Sequence, residues 1–165
     1  MKSQGLNLFI IDDDALLLTG LKNYLAQRFG DELNLFTFLT GVSALKEIDE
    51  NTSIVILDYQ LENENGNDVL KAIKAINPKT EVIMLTSNEQ IGVAIESFRK
   101  GATDYVIKGD KSWKRIAASI NHIITYPYRI LVKEWGVHKF VAAFLLTFAT
   151  LGIVVVFVLQ LMNWN

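Results

Sequence analysis

The chain has 165 residues, 50% of them hydrophobic, with 16 Lys and Arg against 18 Asp and Glu and a formal net charge of −2. That length has room for one ordinary domain plus an extra element. The charge balance and the lack of any Lys/Arg run exclude a phosphate-backbone groove, so no nucleic-acid partner is expected, and the absence of cysteine excludes disulfides and thiolate metal sites while permitting a reducing compartment.

Residues 6–11 (LNLFII) are an apolar, branched run short enough for a buried strand, and they meet the triplet Asp12-Asp13-Asp14 directly. Asp14 reads as the cap of a helix whose apolar positions Leu17, Leu21, Tyr24 and Leu25 recur at helical spacing. A second strand, 33–38 (LNLFTF), precedes a short helix through Val42, Leu45 and Ile48. The third strand, 53–57 (SIVIL), leads straight into Asp58. A polar loop over 62–66 (ENENG) then precedes a helix carrying Val69, Leu70, Ile73 and Ile76, which Asn77-Pro78 stops. The fourth strand is 81–85 (EVIML), followed by Thr86-Ser87 and a helix through Val93, Ile95 and Phe98 that ends at Gly101. The fifth is 104–107 (DYVI), followed by Lys108 and a helix from about Ser112 to Ile124. Five strands alternating with five helices predict a doubly wound parallel sheet with helices on both faces. Strands this continuously apolar fit burial on both sides.

The mean hydropathy of +0.25 is high for a soluble domain, and the excess is concentrated. Residues 140–162 (FVAAFLLTFATLGIVVVFVLQLM) carry no charge. As a helix this run covers about 34 Å, enough for a hydrocarbon core of about 30 Å. A buried core helix is the alternative, but such helices keep a polar stripe and this run has none. Arg129, Lys133, His138 and Lys139 precede the run, and Trp135 and Trp164 bracket it. Basic flanks stay cytoplasmic, so the N-terminal domain is expected to face the cytoplasm, tethered by a single C-terminal anchor. The start of the chain lacks the form of a signal peptide. The expected organisation is a globular domain over 1–125, a linker and basic juxtamembrane segment over 126–139, a membrane helix over 140–162 and a short tail over 163–165.

In a parallel α/β sheet, Asp12-Asp13, Asp58, Thr86 and Lys108 all fall on the carboxyl edge, where such folds place ligand sites. Carboxylates within a few ångströms repel one another unless a cation sits between them. Oxygen-only ligands select Mg²⁺ over zinc. An aspartate beside such a metal can attack phosphorus and form an acyl phosphate. Lys108 and the Thr86 hydroxyl would then meet the phosphoryl oxygens. Each residue also has a plainer reading: Asp14 as a helix cap, Asp58 as a turn residue, Lys108 as a solvated loop charge. His122 and His138 have no partner that suggests catalysis.

The segments FIIDDDALL, VILDYQL, MLTS and GATDYVIK resemble the signature segments of the response-regulator receiver domain of two-component systems, over roughly residues 5–125. The resemblance implies a flavodoxin-like sheet of strand order 2-1-3-4-5. It implies that Asp12 and Asp13 hold Mg²⁺, with Asp13 the direct ligand, that Asp58 is the phosphoacceptor, and that the backbone carbonyl of Gln60 is a further ligand. Thr86 then matches the switch hydroxyl, Tyr105 the switch aromatic, Lys108 the phosphate-binding lysine, and the small Ser87 the position that leaves access to the phosphoryl group. Two departures stand out: Glu62 replaces a common proline, though Gly66 is in place, and Gly109 follows Lys108 where proline is usual.

The function expected from this reading is a membrane-anchored receiver. It takes a phosphoryl group from a histidine kinase or histidine phosphotransfer protein and signals to an unnamed protein partner through the fourth helix, fifth strand and fifth helix. It is a signalling domain rather than an enzyme, with at most slow self-dephosphorylation. Two rivals are a receiver used as an unphosphorylated membrane scaffold, and a phosphatase resembling the haloacid dehalogenases. The second would use Asp12-x-Asp14 but lacks a cap insertion and leaves Asp58 without a role.

Overall fold

The computed structural model describes residues 5–87, 90–125, 144–152 and 159. In chain order the elements are β1 (Leu6–Ile11), α1 (Ala15–Phe29), a 3-10 turn (Gly30–Glu32), β2 (Leu33–Phe38), α2 (Gly41–Leu45), β3 (Thr52–Asp58), β4 (Gln60–Leu61), β5 (Glu64–Asn65), α3 (Gly66–Ile76), β6 (Glu81–Thr86), α4 (Ile91–Arg99) and β7 (Asp104–Ile107). A further helix, α5, runs over 112–125. Five strands form one parallel sheet of order β2-β1-β3-β6-β7. This is the expected flavodoxin-like order once β4 and β5 are set aside. Those two strands pair with each other as a separate antiparallel hairpin, with β5 inside the stretch 62–66 read as a loop and β4 just ahead of it.

The three central strands, β1, β3 and β6, form because both of their faces are buried, while the edge strands β2 and β7 are partly open. Phe9, Ile11, Val55, Leu57, Val82 and Met84 point to one face and pack with Ala44, Ile48, Val69, Leu70 and Ile73 from the α2–α3 side. Leu8, Ile10, Ile54, Ile56 and Ile83 alternate to the other face and are fully buried. Each such side chain contributes about 1.5–3 kcal/mol of transfer free energy. The helices start where side chains satisfy their first amides: Asp14 for α1, Thr40 for α2 and Asn65 for α3. After α4 the chain turns at Gly101, whose φ of 99° a side chain would oppose.

Helical spacing located each helix but mistook some of its inward positions. In α1 the buried leucines are Leu18, Leu21 and Leu25, while Leu17 is half-buried. A run of three leucines does not say which of them faces the sheet. In α2 the buried residues are Gly41 and Ala44, and Val42 is exposed. Ile76, Ile95 and Phe98 are also exposed, and α4 buries only Ser97.

The chain divides into two compact units, Met1–Ile123 and Ile124–Asn165. In the second, residues 144–152 are helical, with Phe144, Leu145, Leu146, Phe148 and Leu151 exposed. The rest of the expected membrane span apart from residue 159, the linker over 126–139 and the tail over 163–165 lie outside the described residues. Among the described residues no helix is long and apolar enough to cross a membrane.

Candidate functional site

Strands β1, β3, β6 and β7 deliver Asp12, Asp58, Thr86 and Lys108 at their carboxyl ends, while Tyr105 lies within β7, and backbone bonds beyond the strands hold those ends in line. Asp12 N donates to Phe38 O (3.1 Å), Tyr59 N to Leu85 O (2.8 Å) and Lys108 N to Thr86 O (2.6 Å). These bonds extend the ladders by one residue and bring Asp12, Asp58 and Lys108 together.

Lys108 Nζ lies 2.8 Å from Asp12 Oδ2 and 2.7 Å from Asp58 Oδ2. Asp12 is fully buried and Asp58 is 3% exposed, whereas Asp13 is open to solvent. One oxygen from each of Asp12, Asp13 and Asp58 lies within 4.8 Å of the others. The remaining oxygens of the buried pair are used locally: Asp12 Oδ1 accepts from Asp14 N (3.0 Å), and Asp58 Oδ1 accepts from Gln60 N (3.1 Å). Asp12 Oδ2 has the Lys108 ammonium, at 2.8 Å, as its one polar neighbour among the described residues. Two buried carboxylates that share a single ammonium, in an all-oxygen set with one solvent-facing member, fit a hard divalent cation that keeps some of its waters.

Burial pushes the Asp58 carboxyl above its ordinary pKa. The Lys108 hydrogen bond opposes that shift, and the neighbouring Asp12 charge adds to it. Burial alone would lower the Lys108 pKa, but its bonds to Asp12 and Asp58 outweigh burial and raise it. The ammonium therefore stays charged and stands where a phosphoryl oxygen on Asp58 would need a counter-charge.

Asp14 belongs to the helix and not to the cluster. Its Oδ1 accepts from Leu16 N (2.8 Å) and Leu17 N (3.1 Å), so an Asp12-x-Asp14 catalytic pair does not form. Thr86 is fully buried at the end of β6. Met84 pairs with Tyr105 and Thr86 with Ile107, so Thr86 and Tyr105 lie on the same sheet face, with Tyr105 half-buried against the α2–α3 core. Ser87 is exposed just past the strand. The Gln60 side chain is exposed, and its backbone pairs with Asn65 in the hairpin. Gly66 has no room for a side chain: a Cβ there would stand 2.4 Å from Asp58 O and 2.7 Å from Tyr59 Cα. Gly109 lies in open space, and no described peptide bond is cis. His122 is exposed on α5, and His138 lies outside the described residues.

Sequence reasoning missed three participants. Glu64 reaches from the hairpin to α2, where its Oε1 accepts from Val42 N (3.1 Å). Asn67 and Ser97 form a buried side-chain pair between α3 and α4 (2.9 Å). For the last two a signal was present: a polar residue at an inward position of each helix. A groove of about 590 Å³ opens beside Lys108, lined by Leu16, Leu17, Tyr24, Gly109 and Trp113 among others. Leu16, 85% exposed, stands at its rim.

The family model of the response regulator receiver domain matches residues 8–119. The transcriptional regulatory protein ZraR of Escherichia coli (strain K12) is 30% identical over 109 residues, which cover 66% of this chain and 24% of that relative. The photosynthetic apparatus regulatory protein RegA of Rhodobacter capsulatus is 32% identical over 105 residues, 62% of this chain and 54% of that protein. Among solved structures, the BeF3-activated receiver domain of DrrB, a Thermotoga maritima protein, superposes with a TM-score of 0.65 at 28% identity, over 73% of this chain and 97% of that one. The chain thus spans about a quarter of the length of the first curated relative and about half of the second.

Proposed function

The chain belongs to the response regulator receiver domain family, and we propose that it is a phosphoacceptor that takes a phosphoryl group on Asp58 and signals by a change of conformation. The observation that carries this reading is the bridging of Asp12 and Asp58 by Lys108, at 2.8 and 2.7 Å. An Asp58 carboxylate oxygen attacks the phosphorus of a phosphohistidine on a histidine kinase or phosphotransfer protein. The P–N bond breaks, the imidazole leaves and takes a proton from solvent, and an acyl phosphate remains. Lys108 holds one phosphoryl oxygen and the Thr86 hydroxyl turns to another, drawing Tyr105 inward on the same sheet face. Asp12, Asp13, Asp58 and the Gln60 carbonyl would hold Mg²⁺, which when bound offsets charge on the phosphoryl group. The groove beside Lys108, which mixes Leu16, Leu17 and Trp113 with Asp14, Asp110 and Lys114, offers the donor protein a surface next to the reacting carboxylate. Family members are signalling domains, and the output here is contact with a protein partner.

The same proposal places the receiver over 1–125, a linker over 126–139, a membrane span over 140–162 and a tail over 163–165, with the receiver on the cytoplasmic side. Support comes from the uncharged run, from Arg129, Lys133 and Lys139 ahead of it, and from the helical segment 144–152 with its apolar side chains exposed.

Incubating the protein with Mg²⁺ and a small phosphodonor, followed by intact mass, tests the first part. Wild type should gain one phosphoryl group that hydroxylamine removes, and Asp58→Asn none; full labelling of Asp58→Asn would sink the assignment. Alkaline extraction of membranes tests the second part, and release of the protein into the supernatant would overturn the anchor.

A further inference from the structure

We propose that Ser97 and Asn67 form a releasable tie between α4 and the first turn of α3, which packs on Asp58, and that phosphorylation of Asp58 opens it; this rests on the receiver reading above. Helix α4 is mounted in an unusual way. Its large apolar residues face outward, with Ile91 76%, Ile95 47% and Phe98 48% exposed, only Val93 and Ala94 are half-buried, and its one fully buried residue is the hydroxyl-bearing Ser97. Ser97 Oγ lies 2.9 Å from Asn67 Oδ1 on α3 and 3.0 Å from Val93 O in its own helix. A serine hydroxyl has one proton, so it donates fully to only one of these acceptors at a time. When the bond to Asn67 opens, Ser97 keeps a partner within α4, and the helix moves without stranding its donor. Few apolar contacts resist that movement, which is the condition for an element that shifts readily.

The other end of the tie is rigidly joined to the phosphoacceptor. Asn67 is 2% exposed and follows Gly66, which is packed so closely on Asp58 and Tyr59 that a Cβ would stand 2.4 Å from Asp58 O. Gly66 N donates to Tyr59 O (2.8 Å), and Asn67 N to Asn65 Oδ1 (2.8 Å). A backbone displacement at Asp58–Tyr59 therefore carries Asn67 with it. In this structure Lys108 is bonded to Asp58 itself, so the closed tie belongs to the unphosphorylated state. The route from Asp58 through α3 to α4 is separate from the one through Thr86 and Tyr105.

The full-length chain with Mg²⁺ and beryllofluoride, a phosphoryl mimic, tests the tie. Ser97→Ala and Asn67→Ala should each bind beryllofluoride about tenfold tighter than wild type, because the cost of opening is already met, and the double variant should bind no tighter than either alone. Amide exchange over 91–99 in probe-free Ser97→Ala should reach the rate that beryllofluoride induces in wild type. Should Ser97→Ala fail to fold, Asn67→Ala decides by the same two readouts. Unchanged affinity with lowered thermal stability would show a packing bond common to both states and overturn the tie while the receiver reading stands. Failure of wild type itself to bind beryllofluoride would overturn that reading, and the tie with it.

Discussion

Lys108 reaches Asp58 from 50 residues away and meets its Oδ2 at 2.7 Å, while the same ammonium sits 2.8 Å from Asp12 Oδ2. One cation thus serves two buried carboxylates, and whatever replaces or draws off that ammonium changes the charge of the whole site. Lys108→Met should lower stability by roughly 1–3 kcal/mol, less than a fully buried pair because the lysine side chain is 23% exposed. The same variant should bind Mg²⁺ more tightly than wild type, since the cluster gains net negative charge, yet take phosphate more slowly. Unfolding curves with and without Mg²⁺ measure both effects, and weaker Mg²⁺ binding in the variant would contradict the shared-cation account.

Asp58 sets a pH dependence of its own. Burial raises its pKa in the folded protein, so the folded state holds this proton more tightly than the unfolded chain does. Stability from this group is fully present below the ordinary carboxylate value and is lost as pH rises through the raised one. Asp58→Asn should therefore be more stable than wild type at neutral pH, with the difference shrinking as the pH is lowered below the ordinary carboxylate range. Saturating Mg²⁺ should close the gap from the other side, since a ligand at 100 times its Kd adds about 2.7 kcal/mol. Thermal melts from pH 3 to 8 would show it, and a pH-independent difference would rule it out.

Asp13 and Asp14 should behave oppositely although they adjoin. Asp13 is exposed at the mouth of the carboxylate cluster, whereas Asp14 is engaged with Leu16 N and Leu17 N. Asp13→Ala should weaken divalent-cation binding strongly with little change in stability. Asp14→Ala should cost about 1 kcal/mol and leave the affinity nearly intact. A metal titration beside a urea melt separates the two, and the reverse ranking would place the wrong residue in the site.

Gly66→Ala should damage both fold and site. Its Cβ would stand 2.4 Å from Asp58 O, a backbone atom without freedom to retreat. The loss should be about 1–3 kcal/mol, accompanied by slower labelling of Asp58. Intact mass over time reads the second effect; wild-type labelling would mean that the loop after Asp58 yields more easily than its packing implies.

Thr86→Ala should leave Asp58 able to accept phosphate but uncouple the response beyond it. Thr86 is fully buried on the sheet face that also carries Tyr105. Amide exchange over 104–120 should respond to phosphodonor in wild type and respond less in the variant. An equal response in both would remove Thr86 from the switch.

The sequence by itself determined the five strands of the parallel sheet, their order of appearance and the residues at their ends, but not the short β4–β5 hairpin. A central strand buried on both faces is a short apolar run, and the runs at 6–11, 33–38, 53–57, 81–85 and 104–107 sit at or within one residue of the observed sheet strands. The chemistry at the carboxyl edge was legible for the same reason: a charged residue directly after a buried run has no other place to go, as Asp12, Asp58 and Lys108 illustrate. Only the tertiary structure decided which helix residues turn inward, because periodicity gives a face but not its phase. It chose Leu18 over Leu17 and Ser97 over Ile95 and Phe98. It also decided the pairings that join distant segments: Lys108 across two carboxylates, Glu64 onto α2, and Asn67 to Ser97. Contacts between residues 22 to 96 positions apart follow from how helices settle on a sheet, and no local pattern in the chain encodes that settling.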